Sequence, residues 1–378
     1  MKRENIALVA RARHDAVARL EVGRRYLAGT DGFPRHEQLA LEYLAHPSLQ
    51  PAADTARIIC EHLDLDRIVA MGHESTLRRA ADGGFAAAQF KLGAWMALVG
   101  PDAGTALQWI RLAARQGHFL AQRVERAIAA TAPAEPEQPL LRALRQVWPG
   151  RLEPLALIAA DHAARRRDLP RLLACIQVAL ADQGAAGLPA ARCLKAAVEL
   201  AIDDACALQG MSAKQIETCL EVLVADGDCD AAYWLGCAYC GIDVPPIAST
   251  QLVGAANMRK GVALLMRAAD AGNAQSWMHL YRALGNHRCS VANPQLAQYF
   301  VEKAALAGIP EAQRRLGALQ LRASVALQGS ETALQWLHAA AVAGDVPAQR
   351  LLRTLVLPLE GNDDEADAAI ALLRTADP

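Results

Sequence analysis

Two stretches decide the fold: residues 80–117, AADGGFAAAQFKLGAWMALVGPDAGTALQWIRLAARQG, and residues 304–344, AALAGIPEAQRRLGALQLRASVALQGSETALQWLHAAAVAG. Both run through the same phrases in the same order. Ala-Ala-x-x-Gly comes first, then Ala-Gln-x-x-Leu-Gly, then an Ala with a Trp three residues on (Ala106 and Trp109, Ala333 and Trp336), and Ala-Ala-x-x-Gly again. The closing phrase occurs at Ala80–Gly84, Ala113–Gly117, Ala268–Gly272, Ala304–Gly308 and Ala340–Gly344, with neighbouring copies 33, 36 and 36 residues apart. A period near 34 is that of a repeated pair of helices.

Working outward, Leu-Gly recurs at Leu92-Gly93, Leu235-Gly236 and Leu316-Gly317, with a weaker Val22-Gly23 near the start. Tyr26 and Tyr239 follow two of these glycines by three residues. Ala88-Gln89, Ala231-Ala232 and Ala312-Gln313 precede the glycines, and Ala274-Gln275 reads as the same phrase in a copy without Leu-Gly. Small residues at one place on both helices let two backbones come close, and the last glycine supplies the left-handed turn that ends the second helix. A single hairpin of this kind cannot bury its apolar side, so neighbours must stack.

These phrases resemble those of the Sel-one-like repeat family, a relative of the tetratricopeptide repeat. The match is good over 85–117 and 227–344, partial over 15–44 and weak elsewhere. The resemblance implies an all-α fold, a right-handed α-α superhelix (solenoid) of helical hairpins, that works as a bacterial protein-binding scaffold and not as an enzyme. A cysteine-rich branch of the family staples its hairpins with disulfides; Ala232 stands where that branch would place a cysteine.

Departures from the pattern mark the organisation. Met96 stands where an aromatic is expected, and an insertion around 241–255 lengthens one hairpin. The expected division is repeats over 1–130, degenerate hairpins over 131–226 behind the proline-rich stretch Thr131–Pro139, repeats over 227–344, and capping helices over 345–378. The acidic run Asp363, Asp364, Glu365 and Asp367 ahead of Ile370–Leu373 suits a polar cap.

Composition agrees with closely packed helices. Hydrophobic residues make up 53% of the 378 residues but aromatics only 4%, so the apolar mass is Ala and Leu, the best helix formers. A formal net charge of −1 lacks the basic excess of a nucleic-acid binder. No stretch approaches the roughly 18 apolar residues of a membrane span, and Met1–Ala10 has no continuous apolar core, so a cytoplasmic protein is expected.

Candidate chemistry is sparse. Cys237 and Cys240 form a C-x-x-C, which Cys229 and His279 could complete into a zinc site; buried thiols are the simpler reading. Asp226, Asp228 and Asp230 alternate like the start of a calcium loop, but its later glycine and glutamate are replaced by Ala231 and Cys237, leaving a helix-capping turn. Arg165, Arg166 and Arg167 read as an exposed helix end. No catalytic residue, metal or cofactor is assigned. The rival to a scaffold is a metal-binding or enzymatic regulator using 131–226 or the Cys237/Cys240 pair.

A binding stripe follows from the helix period. Beside the Leu-Gly core slots, Lys91 with Trp95, Glu21 with Arg25, Trp234 with Ala238, Trp277 with Tyr281 and Arg315 with Leu319 lie four apart. The resemblance puts these first helices on the concave side, so Trp95, Trp234, Trp277, Tyr281, Arg25 and Arg315 become the candidate contacts for a partner peptide or helix. Self-association through open solenoid ends is the further expectation.

Overall fold

The computed structural model describes residues 3–49, 53–100, 102–130, 139–148, 150–181, 187–204, 207–247, 257–286, 290–323 and 330–356. Among these residues there are 21 α-helices, one short 3-10 turn and no strand; Val244 and Ile247 form one isolated bridge within the inserted loop. The chain divides into two compact units, Met1–Gly184 and Ala185–Pro378. That division falls inside the stretch 131–226: Pro139–Val147, Leu152–Arg165 and Leu169–Leu180 belong to the first unit, and Leu188–Asp203 and Ala213–Ala225 to the second. The stretch 131–138 and the acidic tail beyond Val356 lie outside the described residues.

Each phrase has one mechanical place. The Leu-Gly helix Ala86–Val99 packs against Ala103–Arg115, and Pro310–Ala323 against Ser330–Val342. A β-carbon on Gly93 would lie 2.6 Å from Ile110 Cγ1 and 2.9 Å from the Ala106 carbonyl oxygen; on Gly317 it would lie 2.9 Å from the Ala333 carbonyl oxygen. The glycine is there because a partner backbone occupies the space a side chain needs. Ala106 and Ala333, both fully buried, are the small residues on the other side of that contact.

The turn that follows is equally fixed. Gly84 and Phe85 donate their N–H groups to the carbonyls of Ala81 and Ala80, and Gly308 and Ile309 do the same to Ala305 and Ala304. These glycines have φ of 83° and 84°, left-handed values that close a helix C-terminus. The same pair of bonds is made by Gly227 and Asp228 to Val224 and Leu223, and by Arg167 and Asp168 to Ala164 and Ala163. The repeat turn therefore continues through the middle stretch without its sequence phrase, and Arg167, at φ 56°, stands in a glycine's place.

Ala-Gln also acquires a purpose. Eight residues after the second alanine of the closing phrase, the glutamine side chain of the next helix donates back to that alanine's carbonyl: Gln89 to Ala81 (3.2 Å), Gln122 to Ala114 (3.2 Å), Gln313 to Ala305 (3.3 Å) and Gln349 to Ala341 (2.9 Å). An orphan carbonyl at a helix end is satisfied by the neighbouring hairpin. This register corrects the reading of Ala274-Gln275: eight residues past Ala268 and Ala269 stand Ser276 and Trp277, and the Leu-Gly slot holds Leu280 and Tyr281. Val346–Val356, with Ala348-Gln349, is a further first helix of the array and not a generic cap.

Candidate functional site

In the first unit the Leu-Gly helix is mostly buried. No residue of Ala86–Val99 is exposed. Trp95, 3% exposed, meets the ring of His162 edge-on at 5.7 Å, and Phe90 lies 5.4 Å from the ring of Trp148. Lys91 donates to the carbonyls of Cys60 (2.6 Å) and Leu63 (2.7 Å), closing the end of Ala53–His62, and burial lowers its pKa. Arg171 closes the end of Ala86–Val99 itself by donating to the carbonyls of Leu98 and Gly100. The middle stretch has folded back onto the face expected to receive a partner, and Trp95 is core.

Trp234 (6% exposed) and Tyr281 (3%) are buried as well, and a buried ring offers a partner no surface. Tyr281 lies in the hydrophobic cluster with Leu265, Met278, Phe300 and Val301, which Trp277 borders as a half-buried residue. Arg25 is neutralised locally, 2.6 Å from Glu21 and 3.5 Å from Asp31, with its guanidinium 5.9 Å from the Phe33 ring centre. Of the six candidate contacts, Trp277, Arg25 and Arg315 keep some exposure.

The second unit leaves its Leu-Gly helices partly open, and a ladder of polar side chains crosses them. Tyr233 Oη lies 3.1 Å from His279 Nε2, joining Cys229–Tyr239 to Ala274–Gly285. One turn on, Arg282 donates to both carboxylate oxygens of Glu311, at 2.6 and 2.7 Å, reaching Pro310–Ala323. Arg315 donates to the same carboxylate at 3.1 Å and lies 5.5 Å from the Tyr281 ring centre. Burial is the largest influence on Glu311 and pushes its pKa up, but Arg282 and Arg315 together outweigh it and hold the carboxyl below its ordinary value. Burial, reinforced by Arg282, pushes His279 down to about 4, so the imidazole is neutral at pH 7.

Of these residues the sequence reading singled out His279 for zinc and Arg315 for contact; it missed Tyr233, Arg282 and Glu311. Their signal was the spacing of each from its own Ala-Ala turn, which becomes readable only once the eight-residue register is known.

The candidate metal residues are occupied otherwise. Cys237 is fully buried, and burial pushes its thiol up to about 12, while Cys229 is exposed and donates to the Gly227 carbonyl. Cys240 packs beside Gly261, where a β-carbon would lie 2.6 Å from its sulfur. Among the described residues no three His, Cys, Asp or Glu side chains converge as metal ligands. Asp228 caps its helix through the Ala231 N–H, and Lys195 holds Asp228 and Asp230 at 2.6 and 2.9 Å. No helix of the described residues is long and apolar enough to cross a membrane.

No protein-family model and no curated protein sequence matches the chain. Among solved structures it is similar to a protective antigen of uropathogenic Escherichia coli displaying an SLR fold, at 17% identity and TM-score 0.40 over 98% of this chain and 79% of that one. It is also similar to a Sel1 repeat protein from Oxalobacter formigenes, at 23% identity and TM-score 0.34 over 83% of this chain and 90% of that one. Within the chain itself, Leu-Gly, Ala-Gln and Ala-Ala-x-x-Gly each hold one fixed post in successive helical hairpins, and the fold is an all-α array of such hairpins.

Proposed function

We propose that this protein is a protein–protein interaction scaffold, without catalytic activity, that holds a peptide or helix of its partner against the Leu-Gly helices of the second unit. The setting that suits such a scaffold is a bacterial multiprotein assembly of the secretion, envelope or signalling kind. The supporting observation is the Tyr233–His279–Arg282–Glu311–Arg315 ladder, which runs across three successive first helices and leaves the Arg282 and Glu311 side chains 41% and 32% exposed.

The chemistry is that of recognition. Trp277 offers part of an indole face, Arg282 has a planar fork whose side chain is 41% exposed, and the carboxylate between Arg282 and Arg315 fixes both guanidiniums in place. Preorganised aromatic and arginine side chains are the types that dominate binding energy at interfaces.

The test is co-purification of partners from the native cell on wild-type bait and on Trp277→Ala and Arg282→Ala baits, with circular dichroism to show that the baits fold. Loss of the same partner from both variants supports the reading. Recovery equal to wild type counts against the ladder.

A further inference from the structure

The first unit buries an arginine that no carboxylate answers. Arg19, in helix Ala16–Ala28, is only 7% exposed and makes no ion pair among the described residues. It holds three neutral acceptors instead. Its Nη2 donates to the Arg13 carbonyl at 2.8 Å, and its Nη1 donates to His46 Nδ1 at 2.8 Å and to Ser48 Oγ. A buried charge is ordinarily paired, because neutral acceptors make up only part of the hydration it gives up.

Two of these acceptors sit on the connection that follows helix Glu37–Leu44, and both residues are exposed. Ser48 is the middle residue of the 3-10 turn Pro47–Leu49. A guanidinium only donates, so His46 Nδ1 meets it with a lone pair. The same nitrogen lies 3.0 Å from Ser48 Oγ and accepts the Ser48 N–H at 3.2 Å. The Ser48 hydroxyl proton therefore competes with Arg19 and with its own backbone N–H for one lone pair, while the hydroxyl oxygen already faces a cation. A group that keeps this oxygen, sheds its proton and adds negative charge fits the position better than the hydroxyl does.

We infer that Ser48 is a phosphorylation site whose phosphoryl group docks on Arg19. The modification takes a protein kinase and a nucleoside triphosphate. Ser48 Oγ attacks the terminal phosphorus, and the bond from that phosphorus to the diphosphate breaks. The nucleoside diphosphate leaves with the electron pair, and the hydroxyl proton passes to the catalytic carboxylate of the kinase. The phosphoserine carries about −1.5 to −2 charges at pH 7 and three strong acceptor oxygens, which the planar fork of an arginine suits. Docked, it ties the turn Pro47–Leu49 to helix Ala16–Ala28 and so fixes the passage from Glu37–Leu44 to Ala53–His62. This site belongs to the first unit and does not rest on the scaffold reading of the second.

The test has two arms. In the first, the full chain is purified from growing and from stationary cultures of the native cell with phosphatase inhibitors present, and its peptides are sequenced by mass spectrometry. Phosphoserine is expected at Ser48, and its absence from both cultures overturns the inference. In the second, the full chain is made with phosphoserine built in at Ser48 during translation and is followed by phosphorus NMR. The second phosphate pKa, about 6 without a partner, should fall by about one unit in the folded chain relative to the same chain in urea, because Arg19 favours the dianion. The melting temperature should rise by about 2–4 °C over the unmodified chain, the shift expected of one added charge-assisted contact. Arg19→Gln should abolish both shifts. Arg19→Lys keeps the charge without the fork and covers the case of a glutamine variant that does not fold; it should retain part of the pKa fall. A phosphoryl group that titrates alike in folded and unfolded chain, or that leaves the melting temperature unchanged or lower, overturns the docking on Arg19 and with it the inference.

Discussion

Ala86–Val99 and Pro310–Ala323 carry the same Ala-Gln-x-x-Leu-Gly phrase, yet the first buries nine of its fourteen residues and exposes none, whereas the second keeps Glu311, Arg314, Arg315 and Leu319 half-buried and Arg322 exposed. The difference does not come from the repeat. It comes from what the chain does next: after the first unit's hairpins, Leu152–Arg165 returns to lay His162 on Trp95, with His162 3.6 Å from Glu74 and Arg151 3.0 Å from Asp64. A repeat specifies its two hairpin neighbours, and the third side of each helix is assigned by distant sequence.

The sharpest way to break this comparison is a pair of tryptophan truncations. Trp95→Ala empties a buried site and is expected to cost about 3–5 kcal/mol, whereas Trp277→Ala, at a half-buried edge, should cost about 1–2 kcal/mol. Urea unfolding of both variants measures the two values. Equal costs would mean that the first unit's wall is no better filled than the second's.

That contrast also explains what could be read from the sequence. The hairpins were legible because Leu-Gly and Ala-Ala-x-x-Gly answer to local sterics: Gly93 faces Ile110 seventeen residues on, well within one repeat. Trp95 was misread because its covering residue, His162, lies 67 residues away in a stretch with no phrase at all. Trp277 and Tyr281 were assigned to the stripe from an Ala-Gln two residues out of register, and only the glutamine-to-carbonyl bonds of the other copies expose the slip. Arg282 and Glu311 could not be paired from sequence, since their contact spans two hairpins.

The second unit's ladder has a pH consequence. His279 falls from an ordinary 6.5 to about 4 in the folded chain, with burial as the main cause. The unfolded chain therefore binds the proton first on acidification. Stability from this group is complete above pH 6.5 and is lost as pH falls from 6.5 toward 4. Because the ring is partly solvated, the loss is on the order of 1–3 kcal/mol. Unfolding free energies at pH 7 and pH 4.5 for wild type and His279→Gln should differ in slope by that amount; parallel curves would show that the imidazole is not held neutral.

A smaller effect probes a stacking contact that recurs within each unit. Gln89 and Gln313 each reach back to a helix-end carbonyl, Gln89 at 4% exposure and Gln313 at 9%. Gln89→Ala and Gln313→Ala should each cost about 1–2 kcal/mol, because the carbonyl left behind is poorly reached by water. Similar costs would mean that stacking is the same in both units and that they differ only in the third side of the helix. A much larger cost at Gln89 would locate part of the difference in the stacking itself, since the Gln116 side chain also donates to the side-chain amide oxygen Oε1 of Gln89 at 2.8 Å.

The smallest expected change tests whether the phrase-free turn at Ala163–Arg167 is the same object as the glycine turns. A left-handed residue with a β-carbon costs roughly 1–2 kcal/mol relative to glycine, so Arg167→Gly relieves strain at φ 56°. The glycine also frees the unfolded chain by about 0.4–1 kcal/mol, and the side-chain interactions of Arg167 are lost with it. The net change in stability should stay within about 1 kcal/mol of zero, measured by urea unfolding. Arg167→Val, which keeps the β-carbon and adds branching, should be clearly worse than Arg167→Gly. If valine and glycine behave alike, the residue is not confined to the left-handed region, and the middle stretch does not close its helices as the repeats do.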